Sequence, residues 1–249
     1  MKDWRVLVPR PEAGELSRLL RARGAIPVAI PLIEIRPVDP GGPLDAAVRA
    51  IGRYAWVVVT SANGARGIVD RLRALDVEPP AGVRWAAVGP ATAAELATGG
   101  IRASVVPRAG TAVAIAEELD SLAGARVLLP RSRIAAGDLP TALAARGARV
   151  EEVPAYDTVI GPEASRAPLA EALDAGLQAA IFTSASTVAG FVRLAGDAAV
   201  ALAGVPTVCI GPATARALEG VRVKPSRIAA ARSPESLIHA LEEVDHARA

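Results

Sequence analysis

Aromatic residues make up only 3% of the 249-residue chain, too few rings for a surface on which nucleic-acid bases stack. A single cysteine, Cys209, excludes an internal disulfide and a cysteine-rich zinc site. Its place inside an apolar run reads as a small buried hydrophobe. The two histidines, His239 and His246, lie near the carboxyl terminus and away from any strand end, so neither a Ser-His-Asp triad nor a histidine metal site is expected. Opposite charges nearly cancel at a formal +2 and are mixed along the chain, which argues against a basic nucleic-acid tail and leaves an anionic small ligand open. No apolar stretch reaches the ~18 to 20 residues of a membrane span, and the amino terminus lacks a leader-like apolar core. A cytoplasmic protein is the expectation. There is no G-x-G-x-x-G after the first strand and no Walker loop, which counts against dinucleotide and nucleoside-triphosphate enzymes.

What the chain does contain is a repeat. Gly89-Pro90-Ala91-Thr92-Ala93 recurs as Gly211-Pro212-Ala213-Thr214-Ala215, each copy between a short apolar run and the opening of a helix. RVLVPR at 5–10 returns as RVLLPR at 126–131, and Thr60-Ser61-Ala62 as Thr183-Ser184-Ala185. The three matches share an offset of about 122 residues, the signature of an internal duplication. The repeated unit alternates short strands with helices: strands at 5–8, 25–30, 56–59, 85–88 and 103–106, and helices at 12–23, from 44, through Ile68, Val69 and Leu72, and at 111–119. Such alternation implies parallel sheets with helices on both faces, about five core strands per half, a flavodoxin-like number.

Two copies in sequence need not be two consecutive domains. A cut near residue 124 would fall in a short helix-to-strand turn of the kind found inside domains. Extended segments at 33–38 and 155–160, both flanked by Pro and Gly, are better crossings. The expected arrangement is therefore exchanged, with 1–36 and 160–249 forming one discontinuous domain, 37–159 the other, and the two extended segments paired as a two-stranded linker. The cut near 124 is the competing reading.

In parallel sheets ligands gather beyond the carboxyl ends of the strands. Those positions hold Arg10, Thr60, Ser61, Gly89, Thr92, Arg131, Ser132, Thr183, Ser184, Ser186, Gly211 and Thr214. Free helix amides together with hydroxyl donors suit anionic oxygens, and a hydrogen bond to a charged group contributes about 1.5 to 3 kcal/mol. Ser and Thr are also favoured there simply as helix caps, and Arg10 and Arg131 read equally well as ligand contacts or solvated surface groups. Tyr156 lies in the second extended segment and carries a hydroxyl able to donate a proton; packing of its ring is the alternative role.

The ordered set RVLVPRP, PLIEIRPV, VVTSANGA, AAVGPATAAEL, RVLLPRS, EVPAYDTV, IFTSAST, CIGPATARAL and ARSPESLIHAL resembles the uroporphyrinogen-III synthase family along essentially the whole chain. The resemblance implies two flavodoxin-like domains on a two-stranded linker, with the amino-terminal segment in the same domain as the carboxyl-terminal part. It further implies conversion of the linear tetrapyrrole hydroxymethylbilane to uroporphyrinogen III by a monomer, without metal or cofactor. By the same resemblance Tyr156 would assist departure of the hydroxyl group, Thr92 and Thr214 would be the threonines after the Gly-Pro turns, and Ser61 and Ser184 the strand-end hydroxyls. The first turn here reads Pro-Arg-Pro where the family often has Thr-Arg-Pro, so position 9 offers no hydroxyl. Two rival classes share the same turns: a non-catalytic two-domain binder of polycarboxylated small molecules, and a two-domain glycosyltransferase, which would usually need a longer chain.

Overall fold

In the computed structural model, described for residues 1–10, 14–107, 112–135 and 138–246, the short apolar runs form strands and the segments between them form helices. In chain order the elements are β1 (Arg5–Val8), α1 (Glu15–Ala22), β2 (Ile26–Ala29), β3 (Ile33–Pro37), α2 (Pro43–Arg49), β4 (Trp56–Val59), α3 (Ala62–Ala74), β5 (Arg84–Ala87), α4 (Pro90–Ala97) and α5 (Ala112–Glu118). There follow β6 (Arg126–Ser132), α6 (Asp138–Ala145), β7 (Arg149–Ile160), α7 (Arg166–Asp174), β8 (Ala179–Phe182), α8 (Ala185–Ala195), α9 (Ala198–Ala201), β9 (Thr207–Cys209), α10 (Pro212–Gly220), β10 (Arg227–Ile228) and α11 (Pro234–His246). The helix starts expected at Glu12 and Thr111 lie outside the described residues.

Contacts divide the chain into two units, Met1–Glu34 with Val159–Ala249, and Ile35–Thr158. The chain passes from one to the other within β3 and again within β7.

In the discontinuous unit the sheet order is β10-β9-β8-β1-β2, and its neighbours pair in parallel. Counted by chain position from the β2 edge, the strands run second, first, third, fourth, fifth, a common order of doubly wound sheets. Successive strand residues face opposite ways. Leu7, Ala180, Phe182 and Cys209 accordingly join one buried cluster with Leu169, Phe191 and Leu218, while Val6, Val8, Ile181 and Val208 join another with Leu20, Ile238 and Leu241.

In the continuous unit the order is β3-β7-β6-β4-β5, with β7, β6, β4 and β5 paired in parallel. Val57 and Val59 pack with Val48, Ile68 and Leu96 on one face; Trp56 and Val58 pack with Ile115, Leu139 and Leu143 on the other. Burial on both faces explains why these strands are continuously apolar rather than alternating.

Two expectations need correction. The strand at 103–106 shrinks to an isolated bridge between Val105 and Ala86, because Pro107 follows at once and has no N–H to continue a ladder. The extended segment at 155–160 is the second half of a twelve-residue strand that begins at Arg149. Pairing along β6 passes from Arg131–Pro154 directly to Ser132–Tyr156, skipping Ala155. Such a shift bends a strand and re-aims the side chains that follow, and Pro154, lacking an N–H, sits at the position where a proline is tolerated.

Candidate active site

The carboxyl ends of β7, β6, β4 and β5 lie in that order across the continuous unit. Beyond β4, Thr60 is half-buried and Ser61 caps α3, its Oγ accepting the Gly64 N–H at 3.0 Å. The same Oγ lies 3.1 Å from the Tyr156 hydroxyl. Two glycines bring α3 this close to the neighbouring strands. A methyl added at Gly64 would lie 2.9 Å from the Pro130 carbonyl oxygen, and one at Gly67 would collide with that of Ala155. Tyr156 is half-buried, its ring against the core cluster beneath. Packing and an available hydroxyl therefore coexist in this residue.

Ser132, at the end of β6, lies 3.0 Å from the hydroxyl of Thr158. Arg131 is 9% exposed and forms an ion pair with Glu152 at 2.9 Å, so it is not the solvated surface group that was one of its two readings. Beyond β5, Gly89 caps α4 in an extended conformation with Pro90 at the first helical position. A methyl on Gly89 would meet open space, consistent with a turn that a ligand can approach. Thr92 is 4% exposed, and its hydroxyl takes no hydrogen-bond partner among the described residues.

The discontinuous unit repeats this layout at the ends of β1, β8 and β9. Arg10 is exposed after β1. Beyond β8, Thr183 is half-buried, Ser184 caps α8 and Ser186 sits half-buried in the first turn. Here the cap is reciprocal: Ser184 Oγ accepts from the Thr187 N–H at 3.1 Å while Thr187 Oγ1 accepts from the Ser184 N–H at 3.2 Å. Gly211 caps α10 ahead of Pro212, and Thr214 is 3% exposed, its hydroxyl again unpartnered among the described residues.

The structure thus joins Ser61 to Tyr156 by a hydrogen bond and pairs Ser132 and Arg131 with residues that sequence reading passed over, Thr158 and Glu152. For Thr158 a signal existed, since period-two spacing relates it to Tyr156. Glu152 had none beyond its charge. His239 is largely exposed beside Glu242 and Glu243. Among the described residues no three His, Cys, Asp or Glu side chains form a possible metal cluster, and no helix is long and apolar enough to cross a membrane. Cys209 is fully buried, and burial, reinforced by the Glu219 charge, pushes its thiol up to about 12.

Residues 14–239 match the family model described as uroporphyrinogen-III synthase HemD. A porphyrin biosynthesis protein HemD of Ruminiclostridium josui is 33% identical over 86% of this chain, which spans 43% of that longer protein. A uroporphyrinogen-III synthase of Synechococcus elongatus is 32% identical over 82% of this chain and 80% of its own length. Among solved structures, a mutant uroporphyrinogen III synthase of Thermus thermophilus superposes with a TM-score of 0.71 at 24% identity, covering 98% of this chain and 99% of its own. The Helicobacter pylori counterpart gives 0.64 at 17% identity, covering 98% and 100%. At these identities the two structures speak for the α/β fold with mainly parallel sheets.

Proposed function

The chain belongs to the uroporphyrinogen-III synthase family, and on that premise we propose that it converts hydroxymethylbilane to uroporphyrinogen III, inverting the terminal pyrrole ring with loss of water. The family places it among the cyclising lyases of porphyrin and heme biosynthesis. In this reading the two units are flavodoxin-like domains with exchanged connectivity, and β3 and β7 are the strands of the linker. The strand order of the discontinuous unit and the passage of the chain through β3 and β7 support this.

The observation that carries the functional reading, beyond family membership, is the doubled set of glycine-capped turns. In each unit a helix N-terminus opens beside a buried threonine whose hydroxyl has no partner among the described residues, Thr92 in one and Thr214 in the other. Free amides and a hydroxyl form a site for carboxylate oxygens, and the substrate of this reaction carries eight carboxylates. Within its own unit each turn has further donors at the strand ends, Thr60 and Ser132 in the continuous unit and Arg10, Thr183, Ser184 and Ser186 in the discontinuous one, while Arg131 is held by Glu152.

Chemistry begins when the terminal hydroxymethyl C–O bond breaks. Tyr156 donates a proton to the departing oxygen, which leaves as water, and the pyrrole that bore it becomes an azafulvenium cation. Attack on its methylene carbon by the substituted carbon of the pyrrole at the other end of the chain forms a spiro intermediate; fragmentation and reclosure deliver that terminal ring inverted, and the proton it sheds returns to the Tyr156 phenolate. The demand on the protein is chiefly positional, because the unrestrained substrate closes without inversion, and holding reacting carbons in one geometry is what a multipoint grip supplies. Incubation with hydroxymethylbilane, followed by oxidation and chromatography, should yield the type III isomer. Type I alone would refute the enzymatic reading and favour a binding protein.

A further inference from the structure

We propose that Ser61 is a positioning residue for this reaction, donating its hydroxyl proton to Tyr156 Oη so that the Tyr156 proton is free to point at substrate. The proposal rests on the functional reading above but concerns a role which that reading does not assign.

The Ser61 hydroxyl has bonding capacity left over from its cap. A serine hydroxyl has one proton and two acceptor sites. The Gly64 amide donates to Ser61 Oγ at 3.0 Å, so the helix cap engages an acceptor site and leaves the proton. Tyr156 Oη stands 3.1 Å away. When Ser61 donates to it, the phenol accepts on one side and keeps its own O–H for a partner on the other. The chain from the Gly64 amide through Ser61 to Tyr156 polarises in one direction, away from the positive end of α3.

The other half of the molecule supplies an internal comparison. Ser184 is the repeat counterpart of Ser61, and Gly190 packs on the Leu32 carbonyl as Gly67 packs on that of Ala155. The residue after Leu32 is Ile33, where Tyr156 follows Ala155. With no phenol to meet, Ser184 is engaged in a reciprocal cap with Thr187. In the half that has the tyrosine, the position of Thr187 is taken by Gly64, whose place leaves no room for a side chain against the Pro130 carbonyl. In both halves the serine Oγ accepts the amide three residues on, and Thr187 Oγ1 meets only the Ser184 backbone, so what sets Ser61 apart is the phenol 3.1 Å from its hydroxyl.

Capping and positioning can be separated, because glycine caps a helix nearly as well as serine, with a loss of only a few tenths of a kcal/mol. Ser61→Gly should leave the thermal midpoint almost unchanged and lower kcat about three- to tenfold, the worth of one hydrogen bond, with KM unmoved. Ser61→Thr should restore kcat. Tyr156→Phe should slow turnover, and adding Ser61→Gly to it should cost nothing more. Carbon-13 NMR at the ring carbon bearing the hydroxyl reads two tyrosines only, Tyr54 and Tyr156; Ser61→Gly should move the Tyr156 signal and leave that of Tyr54. Unchanged kcat, an equal loss in both tyrosine backgrounds, or a change confined to KM would overturn the proposal while the functional reading survived. Failure of the unmodified protein to form the type III isomer would remove both, and that result is distinct from any variant effect.

Discussion

The α-carbon of Gly190 in α8 packs directly on the carbonyl oxygen of Leu32, so that a side chain there would collide with backbone. Gly67 in α3 bears the same relation to Ala155. In each unit the helix that follows the hydroxyl-bearing turn is thereby seated against the segment leading into a chain crossing, and no flexible side chain is available to give way. Gly190→Ala should destabilise the protein by about 1 to 3 kcal/mol, the range for overpacking a filled site. The thermal midpoint should fall by several degrees. Gly82→Ala, where a methyl meets open space, should leave it within error; equal losses in the two variants would show that the close approach is not the cause.

Removal of a single hydroxyl with retention of shape tests the two buried threonines. Thr92→Val and Thr214→Val should each lower kcat/KM for hydroxymethylbilane about tenfold or more, as expected for a hydrogen bond to a charged group, with stability little changed. Loss of stability without loss of kcat/KM would make these residues structural.

Ser184 should behave differently from Ser61. Its side chain makes a reciprocal cap and no tyrosine contact, so Ser184→Ala should reduce stability by about 0.5 to 2 kcal/mol. Ser184→Gly should recover most of that. Both effects can be read from denaturant midpoints.

The Cys209 thiol offers a test of core integrity. Buried and shifted up to about 12, it should resist alkylation by iodoacetamide in the folded protein at pH 8 and react readily once the chain is unfolded. The thiolate is the reactive form and is disfavoured by burial. Because the folded value lies above the ordinary 9.0, the contribution to stability is complete below about pH 9 and is lost as pH rises through the folded value near 12. Rapid alkylation of folded protein would contradict this environment.

Much of the fold could be read locally. Val57, Val58 and Val59 announce a doubly buried strand, and Ser61 or Ser184 after such a strand announces a helix cap, because both signals reside in consecutive residues. The strand expected at 103–106, fifth in the first copy of the repeat, is only a bridge at Val105, since the apolar pair Val105-Val106 does not show that Pro107 ends the ladder. At the candidate site, residue types at strand ends were legible and their partners were not. Arg131 ends the run RVLLPR much as Arg10 ends RVLVPR, yet it is buried against Glu152 while Arg10 is exposed. Only the pairing of β6 with β7 makes that difference.

By itself the sequence determined the duplication, the alternation of strand and helix, the hydroxyl-rich turns and the scarcity of histidine and cysteine. Each is a property of neighbours along the chain or of composition. Tertiary structure decided the strand order, the continuity of β7, the skipped residue at Ala155 and the meeting of Ser61 with Tyr156 across 95 residues of chain. Parallel strands pair only through distant crossovers, and which hydroxyls come within hydrogen-bond reach depends on that pairing and on helices seated through glycine.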